Sequence, residues 1–141
     1  MVRLTSFIYC LNAERIVLKD GKQDGINAMR VLSTLMPEFI PSAFSFSIVF
    51  SILGADLTKE NKIQVIFKKE DGAILLDTEE IVLPPNIVEK DTTKIPEEYV
   101  GFDLSMDFRN VIFESEGVYC TDIYFNGELL DTNNIYVRSR K

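Results

Sequence analysis

The sequence predicts an all-β fold, an antiparallel sandwich of about seven to nine short strands. The first sign is the run Ala43 to Leu53, in which Phe44, Phe46, Ile48, Phe50 and Ile52 alternate with Ala43, Ser45, Ser47, Val49 and Ser51. That is the two-residue period of a strand with one face buried. The second is Asn126-Gly127, set between apolar runs, the strongest short-range hairpin signal a sequence carries. The third is spacing: turn residues recur roughly every 8–12 positions, and no convincing amphipathic helix lies between the strands.

Each element follows in order. Leu4 to Leu11 reads as a first strand, and Ala13 to Leu18 continues it or begins another, with a bulge near Asn12. Lys19-Asp20-Gly21-Lys22 has hairpin chemistry, lengthened by Gln23-Asp24-Gly25. Ile26 to Met36 suits a helical stripe through Met29, Leu32, Leu35 and Met36, or a strand through Val31, Ser33 and Leu35; its β surroundings favour the strand. Pro37 and Pro41 mark a connection, because neither fits a central strand. Beyond the long strand, Gly54 to Asn61 is a polar loop or a turn of helix, and Lys62 to Lys69 alternates with Ile63, Val65 and Phe67 inward. Glu70-Asp71-Gly72 turns the chain into Ala73 to Asp77, and Thr78 to Leu83 is a further strand, stopped by Pro84-Pro85.

Asn86 to Glu98 is a polar connection without period. Its length makes it the candidate mobile or functional loop. Tyr99 to Phe108 is the next strand, with Phe102, Leu104, Met106 and Phe108 on one face and Asp103, Ser105 and Asp107 on the other. Arg109-Asn110 turns the chain into Val111 to Phe113. Glu116 to Val137 closes the domain with a strand, the Asn126-Gly127 hairpin, a second turn at Asp131 to Asn134 and a last strand from Ile135.

Residues 1–141 make one domain by length. Hydrophobic residues are 46% and charged residues 26% of the chain, a globular balance that can hold a core without disulfide or metal. The net charge of −7 repels phosphate backbones and anionic headgroups, so nucleic acid and membrane are not expected partners. The basic tail Arg138-Ser139-Arg140-Lys141 reads as a frayed terminus. The N-terminus lacks the pattern of a signal peptide and no apolar run spans a bilayer, so a cytoplasmic protein is expected. Cys10 and Cys120 read as two reduced thiols; the alternative is one bridge from the first strand to the closing hairpin.

The chain has no histidine. Ser-His-Asp and Cys-His catalysis and imidazole metal sites are therefore absent, and no enzyme activity and no cofactor are expected. Asp103 and Asp107, with Ser105 between them, could hold a hard cation or act as an acid–base pair, or simply form a solvated face. Asp20, Asp24 and Asp71 sit beside glycines, where Asx-type turns account for them.

Phe7-Ile8-Tyr9-Cys10 leads through Ala13-Glu14 and Leu18 to Asp20-Gly21-Lys22; the Pro37 to Pro41 link and a long alternating strand follow; Gly117, Tyr119, Asn126, Gly127 and Ile135 to Val137 close the chain. This succession resembles an uncharacterised bacterial family of short proteins with an immunoglobulin-like β-sandwich, although Leu11 stands where that family carries an acidic residue. The resemblance implies the fold and a bacterial source, and no activity. The expected function is a non-enzymatic protein-interaction or structural module, self-association included. Tyr9, Tyr99, Tyr119, Tyr124 and Tyr136 are the candidate interface residues. The alternatives are a carbohydrate- or cation-binding module on the Asp103/Asp107 face and neighbouring loops, or a carboxylate enzyme.

Overall fold

The computed structural model describes residues 1–21, 23–85 and 95–141. Lys22 of the first turn and residues 86–94 of the long polar connection lie outside the described residues. Ten strands are present among the described residues: β1 Arg3–Val17, β2 Gln23–Leu32, β3 Thr34–Leu35, β4 Ser42–Leu53, β5 Asn61–Lys69, β6 Ile74–Asp77, β7 Ile81–Leu83, β8 Gly101–Phe113, β9 Gly117–Phe125 and β10 Glu128–Val137. They form a four-stranded sheet in the order β2-β1-β4-β8 and a second sheet in the order β3-β10-β9-β5-β6, with β7 also paired to β5. Every described pairing is antiparallel except β3 on β10.

One expected strand is interrupted, and the two expected on either side of Thr78 are both present. Ile26 to Met36 is β, not helix, but it breaks at Ser33: β2 pairs with β1 and β3 crosses to β10. On the outer side of β5, β6 and β7 flank Thr78. Its N–H bonds Val65 O at 3.0 Å and its hydroxyl accepts from Val65 N at 2.9 Å, while Glu79 takes a φ of 57°.

Two expected turns are bulges instead, and a third is plain strand. A residue tolerant of positive φ can serve either purpose, and cross-strand pairing decides which. Asp24-Gly25 lies within β2, where the register shifts and Gly25 has φ 94°. Arg109-Asn110 does not turn the chain: both residues face Ser45 within β8, Asn110 has φ 54°, and its N–H donates to Ser45 Oγ at 2.9 Å. Asp131 to Asn134 stays in β10, paired with Ile123 to Cys120 of β9. Strand β1 is continuous, and its irregularities fall at Leu4/Ser6 and Arg15/Val17 rather than at Asn12. Tyr99 belongs to a short 3-10 turn, Glu97–Tyr99, ahead of β8. The Asn126-Gly127 hairpin forms as expected, with φ 50° and 83°, the signs a type I′ turn requires. Asn126 also ties this hairpin to β5, its Oδ1 accepting from Lys62 N at 2.8 Å.

The core lies between the sheets. Phe46, Ile48, Phe50 and Ile52 of β4 are buried, as the alternation predicts; Phe44, next to the β4–β8 bulge, is half-buried. Phe46 meets Phe67 of the opposite sheet at 5.2 Å and Phe108 at 5.3 Å between ring centroids. Tyr119 stacks on Phe67 at 5.8 Å and meets Phe113 edge-on at 5.1 Å. Each such side chain contributes roughly 1.5–3 kcal/mol on burial.

Strand β8 approaches β4 so closely at Gly101 that an added Cβ would lie 1.8 Å from Ile52 O. Gly101→Ala is therefore expected to destabilise the protein by about 3 kcal/mol, the upper end of overpacking costs. Gly72→Ala, in open space at φ 99°, should cost only about 1 kcal/mol of left-handed strain. Urea midpoints of the two variants measure the difference.

Candidate interaction surfaces

The Asp103/Asp107 face is occupied by the sheet's own serines. Gly54 N bonds Val100 O at 2.7 Å and continues the β4–β8 ladder. By alternation, Ser51 with Asp103 and Ser47 with Asp107 are non-hydrogen-bonded pairs, whose side chains stand closest. Ser51 Oγ accordingly donates to Asp103 Oδ1 at 2.5 Å and Ser47 Oγ to Asp107 Oδ1 at 2.6 Å. The same alternation turns the backbone of Asp103 to the free edge of β8, where Arg15 Nη2 donates to its carbonyl at 3.1 Å. The β1–β2 hairpin thus reaches back towards β8, and both its strands bring Cα atoms within 8 Å of it. Along β8 the two aspartates are about 13 Å apart at 3.3 Å per residue, wider than either glycosidase geometry. Among the described residues no group of three carboxylate or thiol side chains is placed to hold a metal ion.

The tyrosines do not assemble into one surface. Tyr9 and Tyr119 belong to the core, 6% and 1% exposed. Tyr9 donates to Asn133 O at 3.0 Å and lies 2.6 Å from Thr121 Oγ1, so the threonine hydroxyl supplies the second proton. Burial pushes the Tyr9 phenol well above its ordinary range. Tyr99 is exposed, with the Arg3 guanidinium 5.4 Å over its ring. Tyr124 and Tyr136 share the outer face of the other sheet but sit beside Leu129 and Val118 respectively, roughly 20 Å apart along the strands.

Cys10 and Cys120 are free and buried. Tyr9 and Tyr119 point inward, so their neighbours point outward from different sheets; the bridge considered from the sequence is geometrically excluded. Burial raises both thiol pKa values, with Asp107 adding to the effect at Cys10 and Asp122 at Cys120. Asp122, buried beside Cys120, accepts from Lys68 Nζ at 2.8 Å and from Thr132 Oγ1 at 2.7 Å. The hydrogen bond from Lys68, followed by the opposite charge, raises the lysine pKa. The basic tail is tied down rather than frayed: Arg138 N bonds Leu35 O at 3.1 Å, Arg140 N bonds Pro37 O at 2.8 Å, and Ser139 N bonds Glu116 Oε2 at 2.7 Å.

The two flanks of the sandwich differ. On one, Tyr9 of β1 is bonded to Thr121 and Asn133 of the opposite sheet. On the other, β6 and β8 face each other across a cleft of about 370 Å³. Leu75, Leu76, Val111 and Tyr119 line it, Ile74 and Ile112 stand 58% and 56% exposed at its mouth, and Lys69, Arg109 and Glu114 carry its charge. Sequence reasoning missed this site. Its walls come from strands far apart in the chain, and a turn at Arg109-Asn110 would have removed one of them. The only sequence signal was the pair of large apolar residues, Ile74 and Ile112, on the outer positions of their strands.

No protein-family model and no curated protein matches the sequence. Solved structures do. The chain is similar to an alkylpurine DNA glycosylase from Pseudomonas fluorescens bound to DNA with an abasic-site analogue, at TM-score 0.51 and 9% identity over 97% of this chain and 30% of that one. It is also similar to a β-glucosidase from Listeria innocua, at TM-score 0.47 and 9% identity over 97% of this chain and 16% of that one. An immunoglobulin-like protein from Pseudomonas aeruginosa matches at TM-score 0.45 and 12% identity, over 98% of this chain and 97% of that one. The chain spans less than a third of the first two proteins, and such identities concern the fold alone. The immunoglobulin-like character is also internal. Tyr119 OH donates to Ser115 O at 2.7 Å, the back-bond of the tyrosine corner. Among the described residues no helix is long and apolar enough to cross a membrane.

Tyr9, Cys10 and Cys120 all have raised pKa values in the folded chain. Above about pH 8.5 the unfolded thiols release protons that the folded ones keep, and above about pH 10 the phenol does the same. The unfolded state then binds fewer protons, so stability falls as pH rises and is fully present below that window. Thermal melts across this range should show the decline. Cys10→Ala with Cys120→Ala should flatten its onset, and Tyr9→Phe its upper part.

Proposed function

We propose that this domain is a non-catalytic protein-interaction module that takes an extended segment of a partner protein into the cleft between β6 and β8. The observation that carries the reading is the meeting of two sheet edges, unpaired among the described residues, over an apolar floor. A sheet edge offers unpaired N–H and C=O groups, and a strand laid along it gains main-chain hydrogen bonds while alternate side chains enter the floor. Ile74 and Ile112 are the anchors on either side.

The rim charges narrow the occupant. Arg109 stands 3.5 Å from Asp107, whereas Lys69 has no ion pair among the described residues. Glu114, the third rim charge, has none either, so a segment with alternating apolar residues, one carboxylate near Lys69 and one basic residue near Glu114 fits these features. The non-catalytic part of the reading is supported by the engagement of Asp103 and Asp107 with serine hydroxyls and by the raised thiol pKa values.

Peptides selected from a random display library on the purified protein should show that alternating pattern with its acidic and basic positions. Ile112→Lys and Lys69→Glu should each weaken their binding by about tenfold or more, equivalent to about 1.4 kcal/mol. Tyr136→Ala, on the outer face of the other sheet, should leave it unchanged. Fluorescence anisotropy with a selected peptide makes the measurement. Sensitivity to the Tyr136 change without sensitivity at Ile112 would reject the cleft.

A further inference from the structure

The hairpin of β1 and β2 is an arm that takes no part in the core. None of the described residues between Leu11 and Val31 is buried. Leu4, Phe7 and Leu32 pack against the core, but no apolar residue of the arm does. Leu11, Val17, Leu18, Met29 and Val31 are all exposed.

Beneath the arm the reverse holds. Cys10 and Ser47 are a cross-strand pair, next to the pair Tyr9 and Ile48. Tyr9 and Ile48 face the core, so Cys10 and Ser47 point outward from the four-stranded sheet. The outer face of an antiparallel sheet ordinarily meets water, yet these two are 0% and 1% exposed. The cover ends at Val31 on one side, 64% exposed, and at Asp107 on the other, its side chain 46% exposed. In a flat sheet β1 would stand about 9.5 Å from β8 and β2 about 14 Å. Both come within 8 Å of it, so the sheet closes over its outer side. Arg15 Nη2, donating to Asp103 O at 3.1 Å, fastens the arm to the far edge of β8.

The bend lies at Leu11 and Arg30. The pair Cys10 with Ser47 is where β1 leaves β4. Cys10 pairs with Val31 and Asn12 with Met29, so the β1–β2 register is the same on both sides and no residue is inserted. Between them Arg30 takes a φ of 57°. A left-handed residue inside a strand redirects the backbone, at a cost that L side chains usually avoid. A change of direction confined to one residue pair is the form of a hinge.

We propose that this arm is a lid: it opens about Leu11 and Arg30 as a unit, its own ladder intact, while the sandwich stays folded, and Arg15 is its latch. Closed, it seals Cys10 and Ser47 and holds the Asp103 carbonyl. Open, it gives all three to solvent. Opening is cheap because no arm side chain has to leave the core, and segments with few buried apolar contacts open at low free energy. The lid meets β8 at Asp103, whereas the cleft begins at Arg109, so it does not depend on what the cleft binds.

Cys10 is the reporter. The folded full chain is treated with N-ethylmaleimide, and peptide mapping by mass spectrometry follows Cys10 and Cys120 separately. Cys10 should be labelled at a rate that low urea barely changes, because a local opening exposes little surface and global unfolding much more. Arg15→Ala should raise that rate about three- to tenfold, the loss of one net hydrogen bond. Arg30→Val, whose branched side chain resists positive φ, should raise it more than Arg30→Gly, which accepts it. Cys120, on the other sheet, should keep its rate in every variant. Both arginines are exposed, and unchanged melting temperatures show that the variants keep the sandwich. A Cys10 that reacts only as the whole protein unfolds overturns the proposal. So does an Arg15→Ala that leaves its rate unchanged or speeds both thiols alike, or an Arg30→Val no faster than Arg30→Gly.

Discussion

Phe46 and Phe67 touch across the space between the sheets, with ring centroids 5.2 Å apart, and the rest of the sandwich is arranged around that contact. Phe108 and Phe113 join from β8, Tyr119 from β9 and Tyr9 from β1. Rings packed edge-on and offset hold the sheets at a fixed separation and gain about 0.5–1.5 kcal/mol per pair beyond simple burial. Because these rings are supplied by every second residue, the strands that carry them cannot slip by one place without turning the core to water. Bulges absorb the mismatches that remain. The one at Arg109-Asn110 lets Phe108 and Phe113 both face inward on a single strand although their spacing is odd.

With the interior committed to packing, the polar side chains of the outer faces largely bond within their own sheets. Ser47 and Ser51 hold Asp107 and Asp103; Lys68 and Thr132 hold Asp122. A carboxylate that accepts a short hydrogen bond from a neighbouring strand has a structural partner already. Thr121 shows the same economy inside. It stands two residues after the tyrosine of the corner, the place of a disulfide cysteine in antibody domains, and it bonds the Tyr9 hydroxyl instead. Among the described residues, what the sandwich leaves unmatched is the cleft between β6 and β8. That cleft carries the proposed reading of the domain as an interaction module.

The sequence by itself determined the class of fold, the strand that anchors it and the hairpin that closes it. The alternation of Phe46, Ile48, Phe50 and Ile52 and the left-handed tolerance of Asn126-Gly127 are local properties, written in consecutive residues and hardly negotiable by context. Only the tertiary structure decided that Asp24-Gly25 and Arg109-Asn110 bulge within strands instead of turning the chain, because the same backbone preference serves both and cross-strand pairing chooses, and that Asp131 to Asn134 runs straight on in β10. It also decided that Tyr9 and Tyr119 are core residues while Tyr99 and Tyr136 are exposed, and that Ile74 and Ile112 share one cleft. Those outcomes depend on which distant strands become neighbours. Which strands meet is set by the packing of both sheets at once, and no local window of sequence contains it.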